Sequence, residues 1–403
     1  MTFPSESEQV FGGVDTHDAT IHVAAVSDRG RDLDDREFPT TPSGYRRALA
    51  FLASLGELIA IGIEGSSSYG AGIARAALAD GLVVVEVMRP DRAERRRLGK
   101  SDPIDAYQTA RAAASMHRVT PVKDASVVEG IRALHNARRS AMKARTAAMV
   151  QIFHQLVVAP ADIREKYRAL AGEKRINALA RMRITTTRPA AEQAVLVSLK
   201  TLAARCQQLK DEHEQLGKHL DQLVTAANPG LRGAYGVGPD TAAQLLITAG
   251  GNPDRFRSEA AFAALCGASP IPASSGKTVR HRLNRGGDRA ANGALHRIAL
   301  VRMSSDPRTR AYVAAQRAKG LSSKEVQRKL KRAIAREIFR YLATPITVPA
   351  VDDLRPLRQR KNLTLTAAAN HFAVWPSVIS ELERGLRRDD TLADQYRRWL
   401  HAA

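Results

Sequence analysis

Acidic residues are scarce relative to basic ones in this chain: 41 Asp and Glu stand against 62 Lys and Arg, a formal net charge of +21. A surplus that large, spread along the sequence, suggests a polyanionic partner, and nucleic acid is favoured over a merely basic surface. Aromatics make up only 5%, while Ala and Arg are abundant, a mix that favours helices over a β-sandwich. Cysteine is nearly absent. Cys206 and Cys266 cannot build a disulfide framework, and no CxxC or HxxxH spacing offers a zinc site. No apolar run is long enough to span a bilayer, so no membrane partner is expected. The polar, acidic start MTFPSESEQV does not read as a secretory signal. The expected location is therefore cytoplasmic, at the nucleoid if the host is a bacterium.

What is present is length and patterning. A chain of 403 residues with 44% hydrophobic content exceeds one ordinary core, and about two to four modules are expected. Residues 11–16 and 21–27 read as two strands joined by a short link, a hairpin. Arg36 to Phe38 adds an edge strand. Ser43 is placed to cap a helix through Tyr45, Leu49 and Leu52. The run LIAIGIE (58–64) is a buried-type strand, a helix follows over 70–80, and 82–88 is another apolar strand. A strand hairpin followed by alternating helix and strand predicts an α/β domain with a mixed sheet.

Beyond residue 120 the period becomes helical. Val127, Ile131, Leu134, Ala141, Ala148 and Ile152 share one side of a first long helix. Leu199, Leu202, Cys206, Leu209, His213, Leu216, Leu220 and Leu223 step by three and four, a heptad seam of the coiled-coil kind. Such a seam pairs two chains or packs within one, with pairing between chains the leading expectation. Pro229 and Gly230 end that helix. Tyr235 to Ala242 reads as a helix-hairpin-helix-like segment, whose Gly-rich turn offers N–H groups to a phosphate. A basic helical region runs from Arg289 to about Leu342, 345–349 reads as a linker, and the remainder forms a small helical unit. The expected organisation is 9–120 for the α/β domain, 121–226 for the long helices, 227–344 for a mostly helical domain and 350–403 for the last unit.

Four carboxylates stand out. Asp15 ends the first strand and Glu64 ends a later one. Asp102 and Asp105 open a helix three residues apart, hence on one face. Converging acids repel unless cations sit between them, and hard cations with oxygen ligands, Mg²⁺ or Mn²⁺, meet that need. Two such ions about 4 Å apart can activate an attacking oxygen and stabilise a leaving one. Each acid also has a bland role: Asp15 in a turn before His17, Glu64 before Gly65 at a helix entry, Asp102 as an N-cap, Asp105 as a first-turn acid favoured by the helix dipole. Taken together, they fall at the positions a ribonuclease-H-like sheet needs.

With these residues in place, a family likeness becomes specific. Val14-Asp15-Thr16-His17, Gly62-Ile63-Glu64-Gly65 and Lys100-Ser101-Asp102-Pro103-Ile104-Asp105-Ala106 resemble the N-terminal signature of the DEDD insertion-sequence transposases, over most of residues 9–340. The resemblance implies a RuvC-like catalytic domain and a second transposase domain. It implies Asp15, Glu64, Asp102 and Asp105 as ligands of Mg²⁺, and cutting and rejoining of double-stranded DNA at element ends and target. Some members of that family are guided by a bridge RNA, and their working units are homo-oligomers, dimers or tetramers.

A second site lies near Cys266 to Asp288. Ser274-Ser275-Gly276-Lys277, followed by Arg280, Arg282 and Arg285, places a serine in a basic, Gly-containing loop. Alone this is a weak signal, equally a solvated phosphate-binding loop. A Walker A reading fails because Ile271 stands where that motif needs Gly. The resemblance implies a serine that links covalently to DNA in this loop, and Ser275, directly before Gly276, matches best, with Ser274 in reserve. Such a serine would attack a phosphodiester while the cations stabilise the transition state.

Two basic clusters fit backbone contact without sequence reading. One is Arg89, Arg92, Arg95, Arg96, Arg97 and Lys100, leading to Asp102. The other is Arg328, Lys329, Lys331, Arg332, Arg336 and Arg340. Few aromatics lie among them, so stacking is secondary. The C-terminal unit has the order of a repressor-type helix-turn-helix, with a recognition helix from Pro376 to about Arg384 and Ser377, Ser380 and Arg384 as DNA contacts. Glu381 and Glu383 sit awkwardly there, so a packing or protein-contact role stays open. A RuvC-like junction nuclease using the carboxylates alone, and a DNA-binding regulator without catalysis, are the two competing readings.

Overall fold

The computed structural model describes residues 8–87, 101–116, 119–122, 126–252, 256–272, 281–282, 284–344, 348–385 and 389–402. The chain forms two compact units, Met1–Ala125 and Ser126–Ala403.

In the first unit, β1 (Gln9–Thr16) and β2 (Thr20–Ser27) form the expected antiparallel hairpin, closed by His17 N–H donating to the Thr20 carbonyl at 3.0 Å. The edge strand β3 spans Asp32–Pro39, longer than the three residues anticipated. Its acidic half, DLDD, hides the strand pattern: the acids stay at the surface of an edge, where charge also discourages pairing with a further strand. Helix α1 (Pro42–Ser54) begins one residue before Ser43, and its cap is Thr41, whose side chain accepts the Gly44 N–H at 3.1 Å. Pro42 explains the shift, because proline favours the first helical position and leaves the residue before it as the cap.

After α1 come β4 (Glu57–Ile63), α2 (Ala71–Ala79), β5 (Val83–Val87), α3 (Asp102–Ser115) and β6 (Val119–Pro121), which escaped the sequence reading because it is only three residues long. The strand order is β3-β2-β1-β4-β5-β6; β4 is parallel to β1 and β5 to β4, while β6 is antiparallel to β5. This is a mixed sheet of the ribonuclease-H/RuvC type. One face packs on α1 and α2 through Leu49, Leu52, Ile61, Ile73 and Ala77. The other receives α3, and glycines allow it to settle there. A Cβ at Gly13 would lie 2.1 Å from the Ala106 carbonyl oxygen, and one at Gly62 would lie 2.7 Å from that of Thr109.

The second unit is helical. Helix α4 (Ser126–Val158) and α7 (Ala190–Ala227) run antiparallel, as Arg138 Nε donating to the His213 carbonyl at 3.2 Å and Gln155 Nε2 donating to Ser198 Oγ at 2.9 Å require. Between them lie α5 (Ala161–Arg168) and α6 (Gly172–Ala180). The heptad seam packs within the chain: Leu199 and Cys206 are buried with Ile152, Leu156, Ile163 and Leu179 at one end of the pair. At the other end Leu220 and Val224 join a second core. The seam is thus used within the chain, the second of the two packings its spacing allows, while Leu202, Leu209 and Leu216 stay half-buried. A long helix of the same chain fills a seam as well as a second copy does, and the a/d spacing does not distinguish them.

That second core is built by α8 (Pro229–Gly233), α9 (Pro239–Ala249), α10 (Glu259–Leu265), α11 (Arg289–Ser305), α12 (Pro307–Ala318) and α13 (Ser323–Ala343). The basic stretch expected as one helical region is three helices. Asp306 accepts from Arg308 and Thr309 N–H groups to start α12, and Ser322 with Glu325 forms a capping box at α13.

The last residues form α14 (Leu354–Arg360), α15 (Leu365–His371), α16 (Pro376–Glu383) and α17 (Asp390–Ala402) around their own core, with Leu354, Ile379, Tyr396 and Leu400 fully covered. Glu383 is buried there. It accepts from Arg358 Nε at 2.6 Å, Arg358 Nη2 at 3.0 Å and the Tyr396 hydroxyl at 2.7 Å. Its place beside the expected DNA-contact residues is therefore explained by packing. Glu383→Ala strands a buried guanidinium, which costs about 3–5 kcal/mol. Amide exchange over 354–400 should accelerate to match, while the protection of α9 and α11 stays unchanged.

Candidate functional site

Asp15 is the seventh residue of β1, and the register that pairs Val14 with Ile63 sets it beside the residue that follows β4, Glu64. Gly13 and Asp15 share a strand face, the one that α3 covers. Asp102 opens α3 after Ser101, so the helix brings it to the end of β1. The result is a three-residue group in which ligand atoms of Asp15, His17 and Asp102 all lie within 4.8 Å of one another. His17 Nε2 stands between the two carboxylates, 3.1 Å from Asp15 Oδ2 and 3.4 Å from Asp102 Oδ1. The Asp15 side chain is 17% exposed, against 43% for Asp102, so the group opens to solvent on the helix side.

Glu64 and Asp105 lie outside that group among the described residues. Both are held at its margin by backbone. The Glu64 carbonyl accepts from Thr16 Oγ1 at 3.2 Å, and the Asp105 N–H donates to the Ser101 carbonyl at 3.0 Å, one helical turn from Asp102. The turn after β4 is tied down by Glu86 of β5, whose carboxylate accepts the Gly65 and Ser66 N–H groups at 3.2 and 3.0 Å and the Ser66 hydroxyl. Next to the group, Asp35 accepts from the Tyr107 hydroxyl at 3.1 Å and contacts His22 Nε2 at 2.5 Å. Burial and the Asp35 carboxylate push the Tyr107 phenol up, so it stays a hydrogen-bond donor across the working pH range.

Two carboxylates and one imidazole converging on open space suit a divalent cation. The oxygens match Mg²⁺ or Mn²⁺, and the imidazole adds preference for the transition metal.

The second site is built where two loops pass at close backbone range. Asp288 N–H donates to the Leu265 carbonyl at 2.7 Å, and a Cβ at Gly287 (φ +85) would lie 2.5 Å from that same oxygen. From this base the chain enters β7 (Ile271–Pro272) and leaves through β8 (His281–Arg282), an antiparallel pair. Ser274, Ser275, Lys277 and Arg280 fall between the two strands, in 273–280, outside the described residues. Beside the strands is a cavity of about 880 Å³ lined by Gly267 to Pro270, Arg282, Arg328, Lys331, Arg332 and Arg336, among others. Glu325, the acid in that lining, is engaged by the Ser322 N–H at 2.9 Å and hydroxyl at 2.6 Å. Lys331 Nζ donates to Asn292 Oδ1 at 2.9 Å, and Arg332 Nη1 to Ser269 Oγ at 3.2 Å. Burial and the neighbouring Arg328 hold the Lys331 ammonium below the usual lysine range. Cys266, just upstream, is no rival nucleophile: burial and then Asp288 push its thiol up to about 12.

A transposase family model of the DEDD IS110 type matches residues 12–159, and the model of the transposase IS116/IS110/IS902 family matches residues 230–314. Both sites fall inside or beside these matches, in the same order along the chain. The chain belongs to the IS110-type DEDD transposase family. A curated relative is the 43.6 kDa protein of insertion element IS110 from Streptomyces coelicolor, 30% identical over 149 residues. That alignment spans 36% of this chain and 36% of the relative.

In IS110-type terms, the structure places two of the four expected acids, Asp15 and Asp102, in direct proximity. His17 was not singled out as a ligand, although it stands two residues from Asp15 in the motif Val14-Asp15-Thr16-His17. A short link after a strand returns its side chain over the strand end, and spacing alone hides that. Glu86 was missed because its role depends on the β4–β5 register. Among the expected nucleic-acid contacts, Arg92, Arg95, Arg96, Arg97 and Lys100 lie outside the described residues. Arg282, Arg328, Lys331 and Arg332 gather at one cavity, whereas Arg285 is exposed and does not line it. In the C-terminal unit Ser377 and Arg384 are exposed, Ser380 is half-buried, and Trp375, at the start of α16, is 79% exposed. Among the described residues, no helix is long and apolar enough to cross a membrane.

Proposed function

We propose that the chain is a transposase that cuts and rejoins double-stranded DNA to move an insertion sequence. The observation that carries the reading is the meeting of Asp15 and Asp102, distant in sequence, around His17 at the edge of a ribonuclease-H-type sheet. In this reading Asp15, Glu64, Asp102 and Asp105 are the acidic site, with His17 as a further ligand. A bound Mg²⁺ or Mn²⁺ would polarise the scissile phosphate. Glu86 fixes the turn that carries Glu64, and the Tyr107–Asp35–His22 group buttresses the sheet beneath Asp102.

The serine loop supplies the covalent step. The Ser275 hydroxyl oxygen attacks phosphorus and displaces a strand-end hydroxyl, and a second strand end reverses the exchange, so no external energy source is required. Arg282, Arg328, Lys331 and Arg332, with Lys277 and Arg280, would hold the phosphate chain during that exchange. The regions 9–120, 121–226, 227–344 and 350–403 then divide into catalytic, long-helix, second transposase and helix-turn-helix parts. In the last part Ser377, Ser380 and Arg384, together with Trp375, face DNA. A guide RNA and a homo-oligomer, dimer or tetramer, complete the expected assembly at the nucleoid.

Strand exchange with paired donor and target DNA tests the reading. Wild type should yield a protein–DNA adduct that survives denaturation, and Ser275→Ala should lose it entirely while Ser274→Ala keeps it. An adduct that persists in Ser275→Ala sinks the serine assignment. Cleavage by water with no adduct in any variant identifies a junction nuclease, and binding without cleavage identifies a regulator.

A further inference from the structure

A second basic cleft lies in the helical unit, with a lining that shares no residue with the cavity beside the serine loop. Its volume is about 760 Å³, and its walls are the middle of α4 and α7 and the starts of α9 and α11. Arg138 braces one wall: its Nε donates to the His213 carbonyl at 3.2 Å, and its guanidinium pairs with Asp240, the acid in the lining. Arg139, Lys143, Arg289 and Arg297 also line the cleft, and among the described residues they form no ion pair or hydrogen bond.

Positive charge here exceeds what the protein itself neutralises. Arg139 and Lys143 are one turn apart on α4, and Arg289 and Arg297 are a little over two turns apart on α11, about 6 and 12 Å along the axes. A strand bearing one phosphate per roughly 3.4 Å of axis would pass two to four phosphates along such rows. His135 gives an independent sign. It is only 5% exposed, lines the same cleft one turn before Arg139, and its imidazole forms no hydrogen bond among the described residues. Burial lowers its pKa, and Arg139, Arg138 and Arg297 lower it further against the opposing pull of Asp240. With no protein partner among the described residues, the imidazole is left to meet whatever occupies the cleft. The Gly-rich turn before α9 does not meet this need with free N–H groups, because the Gly238 N–H is taken by Thr241 Oγ1 at 3.0 Å.

We propose that this cleft holds the phosphodiester backbone of a nucleic-acid strand, gripped by Arg139, Lys143, Arg289 and Arg297 and completed by His135. The site rests on the reading of the chain as a nucleic-acid protein, but not on cutting or joining. It therefore works without metal.

The experiment is a salt series of binding in EDTA. Full-length protein is titrated with a fluorescent DNA duplex and, in a second arm, with an RNA hairpin of equal charge. For the strand that occupies the cleft, Arg139→Ala/Lys143→Ala/Arg297→Ala should reduce the slope of log K against log salt by about 2–3. At 0.1 M salt that corresponds to about a 10²- to 10³-fold loss of affinity. The charge-keeping variant Arg139→Lys/Lys143→Arg/Arg297→Lys should bind as wild type does. Loss in one arm alone names the strand. The proposal fails if the alanine variant keeps both slope and affinity in both arms, or if the charge-keeping variant loses binding equally. Failure of strand exchange with this binding intact would count against the enzymatic reading and leave the cleft standing.

Discussion

Asp15→Asn is expected to reduce metal-dependent strand cleavage by about 10³-fold and to leave DNA binding within a few-fold of wild type. Asn keeps the size of the side chain and can still accept the Thr16 N–H, which Asp15 Oδ1 receives at 3.0 Å. It removes the negative charge that, with Asp102, would hold a cation. Loss of a catalytic metal forfeits several kcal/mol of transition-state stabilisation, and roughly 4 kcal/mol corresponds to the stated factor. The control lies in stability. Asp15 and Asp102 repel in the metal-free protein, so the variant should melt no lower than wild type without metal. Added Mn²⁺ should raise the melting temperature of wild type and not that of the variant. An unchanged cleavage rate in Asp15→Asn, or an equal Mn²⁺ shift in both proteins, would remove the carboxylate group from catalysis.

The second large effect is expected from a residue with no chemistry. In Gly13→Ala the new Cβ would be 2.1 Å from the Ala106 carbonyl oxygen and 2.2 Å from the Ala110 amide nitrogen, both backbone atoms of α3. Neither can rotate away, so the helix must lift from the sheet. Overpacking of this kind costs about 3 kcal/mol or more. Asp102 rides on the same helix, and a displacement of about 1 Å at a reacting group costs on the order of 10²-fold in rate. Activity should therefore fall further than the loss of folded protein explains. Gly12→Ala is the comparison: its Cβ would meet Leu52 Cδ1 at 2.8 Å, the far end of a side chain that can turn. It should lose less stability and keep most of its activity. Equal damage from both would mean that α3 does not depend on this close approach.

Much of this arrangement is written in local pattern. The run LIAIGIE marks a buried strand because apolar residues are continuous in it, with β-branched Ile at 59, 61 and 63, and the 199–223 steps mark a long helix because the period is unbroken. β3 is less legible, since an edge strand tolerates acids that a sequence reading assigns to a turn. The three helices within 289–343 merge in sequence because every one is basic, and they are separated by the caps Asp306 and Ser322, with Pro307 and Gly320 beside them. At the candidate site, Asp15 and Asp102 are legible through their places at the end of a strand and the start of a helix. His17 and Glu86 are not, because their positions depend on a turn path and a parallel register. The cleft around His135 is less legible still, for its cations come from helices more than a hundred residues apart.

The antiparallel pairing of α4 with α7 gives the helical unit a spacer of set length. At 1.5 Å per residue these helices extend about 50 and 57 Å, and they keep the core around Ile152 and Leu199 at a distance from the one around Val224 and Leu245. Removing seven residues from both would bring those ends about 10 Å nearer and retain the mating faces. Removing seven from one alone would slide every apolar contact past its partner. Span in this unit is thus inherited only in matched steps, and evolution can retune it by paired deletion without redesigning either end.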